Sequence, residues 1–288
     1  MRVLVTGSSG QLGHDIVERL MFEDALVYAP SHEEMDITNA NSVKNAFDLF
    51  KPDIVYHCAA YTAVDKAEED KKSCYDINVT GTKNIADNCL KHNSTMVYIS
   101  TDYVFDGTKE GYYEIYDKPN PMNVYGETKW LGEKETERVE KHYIVRISWV
   151  FGLHGKNFVK TMLNLGTTHK ELNVVDDQIG SPTYTRDLAN TLLEIVNSDE
   201  YGIYHATNSG ICSWADLAEY IFKVNKMNVK VNHVSTEEYL RITGAKQAYR
   251  PRNSKLSKSR LDDNNLNKMT SWHTAVKKYT KILNKNNS

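Results

Sequence analysis

The chain has 288 residues, 40% of them hydrophobic and 25% charged, with 38 acidic against 35 basic side chains and a formal net charge of −3. Such a balance belongs to an ordinary globular protein, and its scattered basic residues exclude the concentrated positive face that a nucleic-acid backbone requires. No apolar run approaches the ~18 residues of a membrane span, and Met1 leads into a strand pattern rather than a signal peptide, so a cytoplasmic protein without a membrane partner is expected.

Short apolar runs alternate with longer amphipathic segments, which predicts βαβ units and a parallel sheet covered on both faces. The first strand is read at Arg2 to Thr6, followed by a helix from Gln11 to about Met21 and a strand from Ala25 to Tyr28. A helix around Ser42 to Leu49 has Thr38 and Asn39 as candidate caps. Then come a strand at Ile54 to Cys58, a helix at Tyr75 to His92, a strand at Met96 to Ser100, a long helix at Asn123 to Lys141 and a strand at Tyr143 to Trp149.

Beyond Trp149 the alternation weakens. A helix near Asn157 to Leu165, a strand at Leu172 to Val175 and a helix at Arg186 to Val196 precede a strand-like Gly202 to Thr207. Ser213 to Lys223 forms an amphipathic helix, Asn253 to Arg260 is polar, and Lys281 to Ser288 reads as a frayed tail. The fold class is therefore α/β, a doubly wound parallel Rossmann-type sheet with a smaller C-terminal α+β lobe. Residues 1–150 would form the dinucleotide-binding domain and 151–288 mainly the substrate lobe, with the main sheet re-entered at about 184–208.

Four cysteines (Cys58, Cys74, Cys89, Cys212) form no CxxC pair and read as buried free thiols. Ten histidines show no zinc spacing, which argues against a transition-metal site.

Gly7-Ser8-Ser9-Gly10-Gln11-Leu12-Gly13 falls between the first strand and the first helix. Glycines there permit a tight turn, close backbone approach to a pyrophosphate and close helix packing, with the helix N-terminus facing the phosphates. The end of the second strand reads Ala29-Pro30-Ser31-His32, without the acid that usually binds a ribose 2′-hydroxyl. Glu33 and Glu34 come late and read equally as solvated loop residues, so NADH and NADPH both remain open.

Tyr125 and Lys129 lie four apart on one helix face, the spacing at which an ammonium can stabilise a phenolate and ease proton exchange. With 18 tyrosines in the chain such a pair also arises by chance. Thr101 gives it weight: it lies at a strand end 24 residues before Tyr125, where its hydroxyl can bond a carbonyl under reduction. Taken singly, Thr101 is a turn cap and Lys129 a solvated helix lysine.

The stretches VTGSSGQLG (5–13), CAAYTAVDKAE (58–68), STDYVFDG (100–107), NVYGETKWLGE (123–133), RISWVFG (146–152), VVDDQIGSPTYTRDLA (174–189) and SW (213–214) resemble the dTDP-4-dehydrorhamnose reductase family of extended short-chain dehydrogenases. The resemblance implies NAD(P)H-dependent reduction of the 4-keto group of a nucleotide-linked deoxysugar. By that resemblance Gly10, Gln11 and Leu12 contact cofactor phosphates, Asp36 and Ile37 lie by the adenine, and Ala59, Ala60 and Tyr61 line the cofactor cleft. Thr101 and Asp102 would meet the sugar, Tyr125 would donate the proton, Lys129 would hold the nicotinamide ribose, and Trp149 would pack against the substrate. Trp149 and Tyr61 also read as core aromatics, and Asp36 as a helix-cap acid.

The same resemblance leaves Mg²⁺ and a homodimer open without assigning metal ligands; Asp15 reads better as a surface helix carboxylate. Arg250 is a candidate partner for the pyrophosphate, because a guanidinium matches phosphate geometry. Two relatives compete. Nucleotide-sugar epimerases and dehydratases share the Thr, Tyr and Lys set, although the Asp-Glu pair of the dehydratases is Asp102-Tyr103 here. The regulatory β subunit of methionine adenosyltransferase shares the fold without the catalysis.

Overall fold

The structure is a computed structural model describing residues 1–266 and 269–286. From the N-terminus run β1 (Arg2–Thr6), α1 (Gln11–Leu20), β2 (Leu26–Tyr28), α2 (Ala40–Phe50) and β3 (Ile54–His57). Two short helices, α3 (Val64–Ala67) and α4 (Lys71–Tyr75), lead through a wide π-type turn at Asp76–Gly81 into α5 (Thr82–His92), β4 (Thr95–Thr101), α6 (Val124–Thr136) and β5 (His142–Ile147). Next come β6 (Val150–Phe151), α7 (Phe158–Gly166), β7 (Glu171–Val175), β8 (Ile179–Gly180), β9 (Thr183–Tyr184), α8 (Thr185–Asn197) and β10 (Gly202–His205). The chain ends with β11 (Cys212–Ser213), α9 (Trp214–Val224), β12 (Lys230–Val234), α10 (Thr236–Thr243), β13 (Asn253–Ser254), α11 (Ser259–Asp263) and α12 (Trp272–Asn286).

Six strands form one parallel sheet in the order β10-β5-β4-β3-β1-β2. Successive strand residues point to opposite faces, so each strand supplies two cores. Val3, Val5, Tyr56, Val97 and Val145 pack with Ile16, Leu188 and Leu192 of α1 and α8. Leu4, Val55, Met96, Tyr98 and Ile144 pack with Val43, Phe47 and Ile85 of α2 and α5 on the other side. Burial on both faces explains why these strands read as near-continuous apolar runs. The direction of winding reverses between β1 and β3, which opens a crevice at the carboxyl ends of the strands.

A third core surrounds α7, α9 and α12, with Phe151, Met162, Ile221, Phe222, Trp272 and Tyr279 at its centre. Beside it lie the parallel β7–β12 ribbon and the small sheet β11-β8-β13. Residues after 150 thus divide between two bodies: α8 and β10 complete the main sheet and its cover, and most of the remainder builds the third core.

Several sequence expectations need correction. The helix expected from Asn123 to Lys141 stops at Thr136, because the backbone tightens to i→i−3 bonds (Val139 N–H to Thr136 O, 3.0 Å) and turns to bury Val139. The helix expected to start at Tyr75 begins at Lys71, where the Asp70 side chain accepts the Ser73 N–H. The strand expected to reach Trp149 ends at Ile147, and Trp149 takes a left-handed backbone with φ +51°. Lys281 to Asn286 is the last part of α12 rather than a frayed tail, held by Val276, Tyr279 and Leu283 on its core side; the tail's last two residues lie outside the described residues. Asp15 is no surface carboxylate either. It is 2% exposed, inside the contact between α1 and α8, where burial raises its pKa against the Thr185 hydroxyl and the Arg186 charge.

All four cysteines are free, with Cys58 half-buried and the others buried. Among the described residues no helix is long and apolar enough to cross a membrane.

Candidate active site

A cleft of about 880 Å³ opens at the carboxyl ends of the strands. One wall is the turn from β1 into α1. Gly7 has φ +65°, and a Cβ there would fall 2.7 Å from the Ala59 backbone nitrogen. A Cβ on Gly13 would fall 2.3 Å from the Gly7 carbonyl oxygen, so α1 rests directly on the turn. Gly10 is the N-cap and offers no side chain, which leaves the first N–H groups of α1, from Gln11 to Gly13, to face the cleft. This is the cradle that a pyrophosphate requires, and the residues present fit a dinucleotide.

At the corner after β2, Ser31 and His32 line the cleft. Glu34 folds back to accept the Ser31 N–H at 2.7 Å, and that bond, with the Ser31 hydroxyl, holds its carboxyl below the usual range. Asp36 and Ile37 line the same end. The Asp36 carboxylate accepts the Thr38 N–H and hydroxyl at 2.9 and 2.8 Å, a local turn rather than a helix cap; the cap of α2 is Asn39. Ala59 and Ala60 also line it, with the Ala59 N–H bonded to the Thr6 hydroxyl at 3.1 Å. Tyr61 does not. Its N–H and carbonyl are clamped by the Asn78 amide at 2.8 and 3.2 Å, and its phenol oxygen is buried outside the lining.

Thr101, Asp102, Tyr125 and Lys129 converge on the cleft. Thr101 closes β4, and Asn123 caps α6 by accepting the Gly126 N–H at 2.7 Å, which sets Tyr125 and Lys129 one turn apart. The Thr101 hydroxyl donates to Asp102 Oδ1 at 3.0 Å, and the Ser254 hydroxyl donates to Asp102 Oδ2. Burial pushes the Asp102 carboxyl up to about 6 against those two donors. Burial also raises the Tyr125 phenol, opposed by the Thr101 hydroxyl and reinforced by the Asp102 charge. The spacing suggests an ammonium drawing that phenol toward neutrality, but desolvation is the leading influence on it, and the phenol stays protonated across neutral pH. Lys129 is itself pushed down to about 7 by burial, with Glu133 acting in the opposite direction. Its Nζ lies 4.0 Å from the centre of the Tyr98 ring.

Behind Lys129 stands a buried ion pair that the sequence reading passes over. Arg146 donates to both carboxylate oxygens of Glu133 at 2.9 and 2.8 Å, and the Ser100 hydroxyl donates to the same group. The available signal was a charge in mid-strand and an acid four residues beyond Lys129. The aromatic side of the cleft was also only half legible. Trp149 lines it and lies stacked on Trp214 with centroids 3.7 Å apart, and Phe158 sits 4.6 Å from Trp214. Gly180 makes room for that stack, since a Cβ there would meet the Trp149 indole at 2.8 Å.

Arg250 reaches the cleft but donates one nitrogen to both Asp65 oxygens at 2.8 Å, while its Nη1 is buried without a partner. His14, Asp15 and Glu18 bring one potential metal-ligand atom each within 4.8 Å of one another. An imidazole with two carboxylates that already face the Arg186 guanidinium is a poor match for Mg²⁺, a hard ion seeking octahedral oxygen. The Mg²⁺ expectation gains no support from this cluster.

The profile of the family described as RmlD substrate binding domain matches residues 1–285. A protein of Aggregatibacter actinomycetemcomitans named dTDP-4-dehydrorhamnose reductase is 39% identical, covering 96% of this chain and 97% of its own. The crystal structure of a dTDP-4-dehydrorhamnose reductase from Clostridium acetobutylicum superposes with a TM-score of 0.95 at 41% identity, covering 99% of this chain and all of its own. That of the Bacillus anthracis dTDP-4-dehydrorhamnose reductase in complex with NADP gives 0.92 at 40% identity, over 97% of this chain and 98% of its own.

Proposed function

We propose, since this chain belongs to the RmlD substrate binding domain family, that it is a nicotinamide-dependent oxidoreductase reducing the 4-keto group of dTDP-4-dehydro-L-rhamnose to dTDP-L-rhamnose. The observation that carries this reading is the convergence of Thr101, Tyr125 and Lys129 in the same cleft as an open glycine turn. Bound there, the reduced nicotinamide supplies the hydride.

The turn from Gly7 to Gly13 holds the phosphates; Asp36, Ile37, Ala59 and Ala60 flank the rest of the dinucleotide. Thr101 moves its hydroxyl from Asp102 to the substrate carbonyl oxygen. Tyr125, kept protonated by burial, donates its proton to that oxygen as negative charge develops there. Lys129, one turn along α6, offers a cation to the phenolate left behind and donors to the nicotinamide ribose. Trp149, Trp214 and Phe158 form the apolar wall for the sugar, so that substrate is held by residues on both sides of position 150 and the cofactor almost wholly by those before it.

Ser31 and His32, after β2, favour a 2′-phosphate over a bare 2′-hydroxyl, since the acid lining the same end, Asp36, has its carboxylate engaged by the Thr38 N–H and hydroxyl. NADPH is therefore expected to serve at least as well as NADH, and the reaction belongs in the cytoplasm, where the reduced nicotinamide pool lies. The test is a reductase assay on a panel of nucleotide-linked 4-keto-6-deoxysugars with each cofactor. NADPH oxidation with the dTDP-linked sugar supports the reading. A purified protein that retains nicotinamide tightly and recycles it without net oxidation would be an epimerase instead. An NADH preference above ~100-fold in kcat/KM, roughly 2.7 kcal/mol, would refute the cofactor assignment.

A further inference from the structure

The side chain of Gln11 points away from the place its backbone serves. The residue opens α1 beside the glycine turn, yet its Oε1 accepts the Gly152 N–H at 2.9 Å and the Asn157 amide N–H at 2.9 Å. Both donors belong to the loop between β6 and α7. Asn157 is firmly placed: its Oδ1 caps α7 through the Lys160 N–H at 3.0 Å, and its amide nitrogen lies 3.0 Å from the Tyr279 hydroxyl. That hydroxyl in turn donates to the Gly152 carbonyl at 2.8 Å, tying α12 to the same point. One turn along α1, the His14 imidazole stacks on His154 with centroids 3.5 Å apart. The first turn of α1 thus grips the loop twice, once by hydrogen bonds and once by ring stacking. The flanks of this loop, Trp149 to Phe151 on one side and Phe158 and Val159 on the other, line the cleft.

From this arrangement we infer that Gln11 is a positioning residue that couples cofactor binding to the aromatic wall of the substrate pocket. Its backbone N–H serves the cofactor phosphates and its side chain holds the segment 149–159. The inference rests on the dinucleotide reading of the glycine turn given above. A phosphate that fixes the start of α1 also fixes the acceptor to which Gly152 and Asn157 are bonded. The loop then loses freedom, and by linkage a sugar nucleotide that orders the loop tightens the cofactor by the same factor.

The test uses the full chain in three forms: the natural protein, Gln11→Met and Asn157→Ser. Methionine keeps the length and apolar packing of the glutamine but has no acceptor oxygen. Serine keeps a capping hydroxyl for α7 but cannot reach Gln11. Amide hydrogen exchange is followed with and without saturating NADP⁺. Protection of residues 7–13 is expected in all three forms, whereas residues 150–160 should slow by ~10-fold on NADP⁺ binding only in the natural protein. In turnover, Asn157→Ser, which lies outside the cofactor turn, should raise the sugar-nucleotide KM by ~10-fold with kcat and the NADP⁺ dissociation constant within ~3-fold. Gln11→Glu, which retains an acceptor, should keep the protection of 150–160. Protection of 150–160 that survives Gln11→Met, or that is missing from the natural protein at saturating NADP⁺, overturns the coupling and leaves the reductase reading intact. A chain that binds neither NADP⁺ nor NAD⁺ overturns that reading and the inference with it.

Discussion

Replacing Lys129 with methionine should abolish catalysis and stabilise the fold, because this ammonium is held at the active site at the expense of stability. Lys129 is 3% exposed, and burial lowers its pKa from 10.5 to about 7 despite the attraction of Glu133. Glu133 cannot compensate it fully, since both its oxygens are engaged by Arg146. At ~1.4 kcal/mol for each tenfold change, the drop sets a ceiling of about 5 kcal/mol on what methionine could recover below neutral pH. The lost contact with the Tyr98 ring takes back about 1–2 kcal/mol, leaving an expected gain of at most about 3–4 kcal/mol. The pH dependence fixes the sign. Between pH 7 and 10.5 the unfolded chain binds this proton and the folded chain does not, so the natural protein gains stability as pH rises through that window. The advantage of Lys129→Met should therefore be fully present below pH ~6 and narrow by about 2–3 kcal/mol by pH 9. Urea unfolding of both proteins at pH 6, 7.5 and 9 reads the gap directly, beside a kcat expected to fall by more than ~100-fold. A variant less stable than the natural protein at pH 6, or a gap that does not change with pH, would refute the reasoning.

Tyr125→Phe should lower kcat by more than ~100-fold while NADPH binding stays nearly unchanged, and near-normal turnover would remove Tyr125 as the proton donor. Trp149→Ala should raise the sugar-nucleotide KM and spare the NADPH dissociation constant measured without sugar; equal weakening of both ligands, or of neither, would make Trp149 a core residue only. Arg146→Met should destabilise the protein by about 3–5 kcal/mol, because it leaves the Glu133 carboxylate buried without its partner. Adding Glu133→Leu should restore most of that loss in denaturant titration, and a purely additive double mutant would argue that the pair is not coupled.

The main sheet was legible because its signal is local. Arg2–Thr6, Ile54–His57 and Thr95–Thr101 are short apolar runs whose alternate residues feed the two cores, and the intervening helices carry a regular apolar stripe. Boundaries failed where the deciding contact is distant or is a single cap. Nothing in the charged run Glu133 to Lys141 stops a helix by propensity; the stop comes from Val139 turning into the core beside β5. The two-residue strands β6, β8, β9, β11 and β13 have no periodicity to read, since each exists only through a partner elsewhere in the chain. Lys230–Val234 is similar: its alternation is partly polar, and it becomes a strand by pairing along its whole length with β7.

The site divides along the same line. Thr101, Tyr125, Lys129 and the glycine turn share one cleft, and the sequence marks them by spacing: the turn and Thr101 at strand ends, Tyr125 and Lys129 one turn apart in α6. What tunes them is not so marked. The Asp102 carboxylate that holds the Thr101 hydroxyl is itself held by Ser254, 152 residues away, and the face of Trp149 is set by Trp214 and by the missing side chain of Gly180. Ile147-Ser148-Trp149 reads as a strand running on, yet Thr183 donates its N–H to the Trp149 carbonyl at 3.1 Å and its hydroxyl to the Ser148 carbonyl, drawing the chain out of the sheet. That pull places the indole in the cleft with a left-handed backbone, a conformation in which tryptophan is rare and which only the surrounding contacts can sustain. The residues proposed to react are thus marked locally, whereas their protonation and the shape of the pocket are properties of the assembled fold.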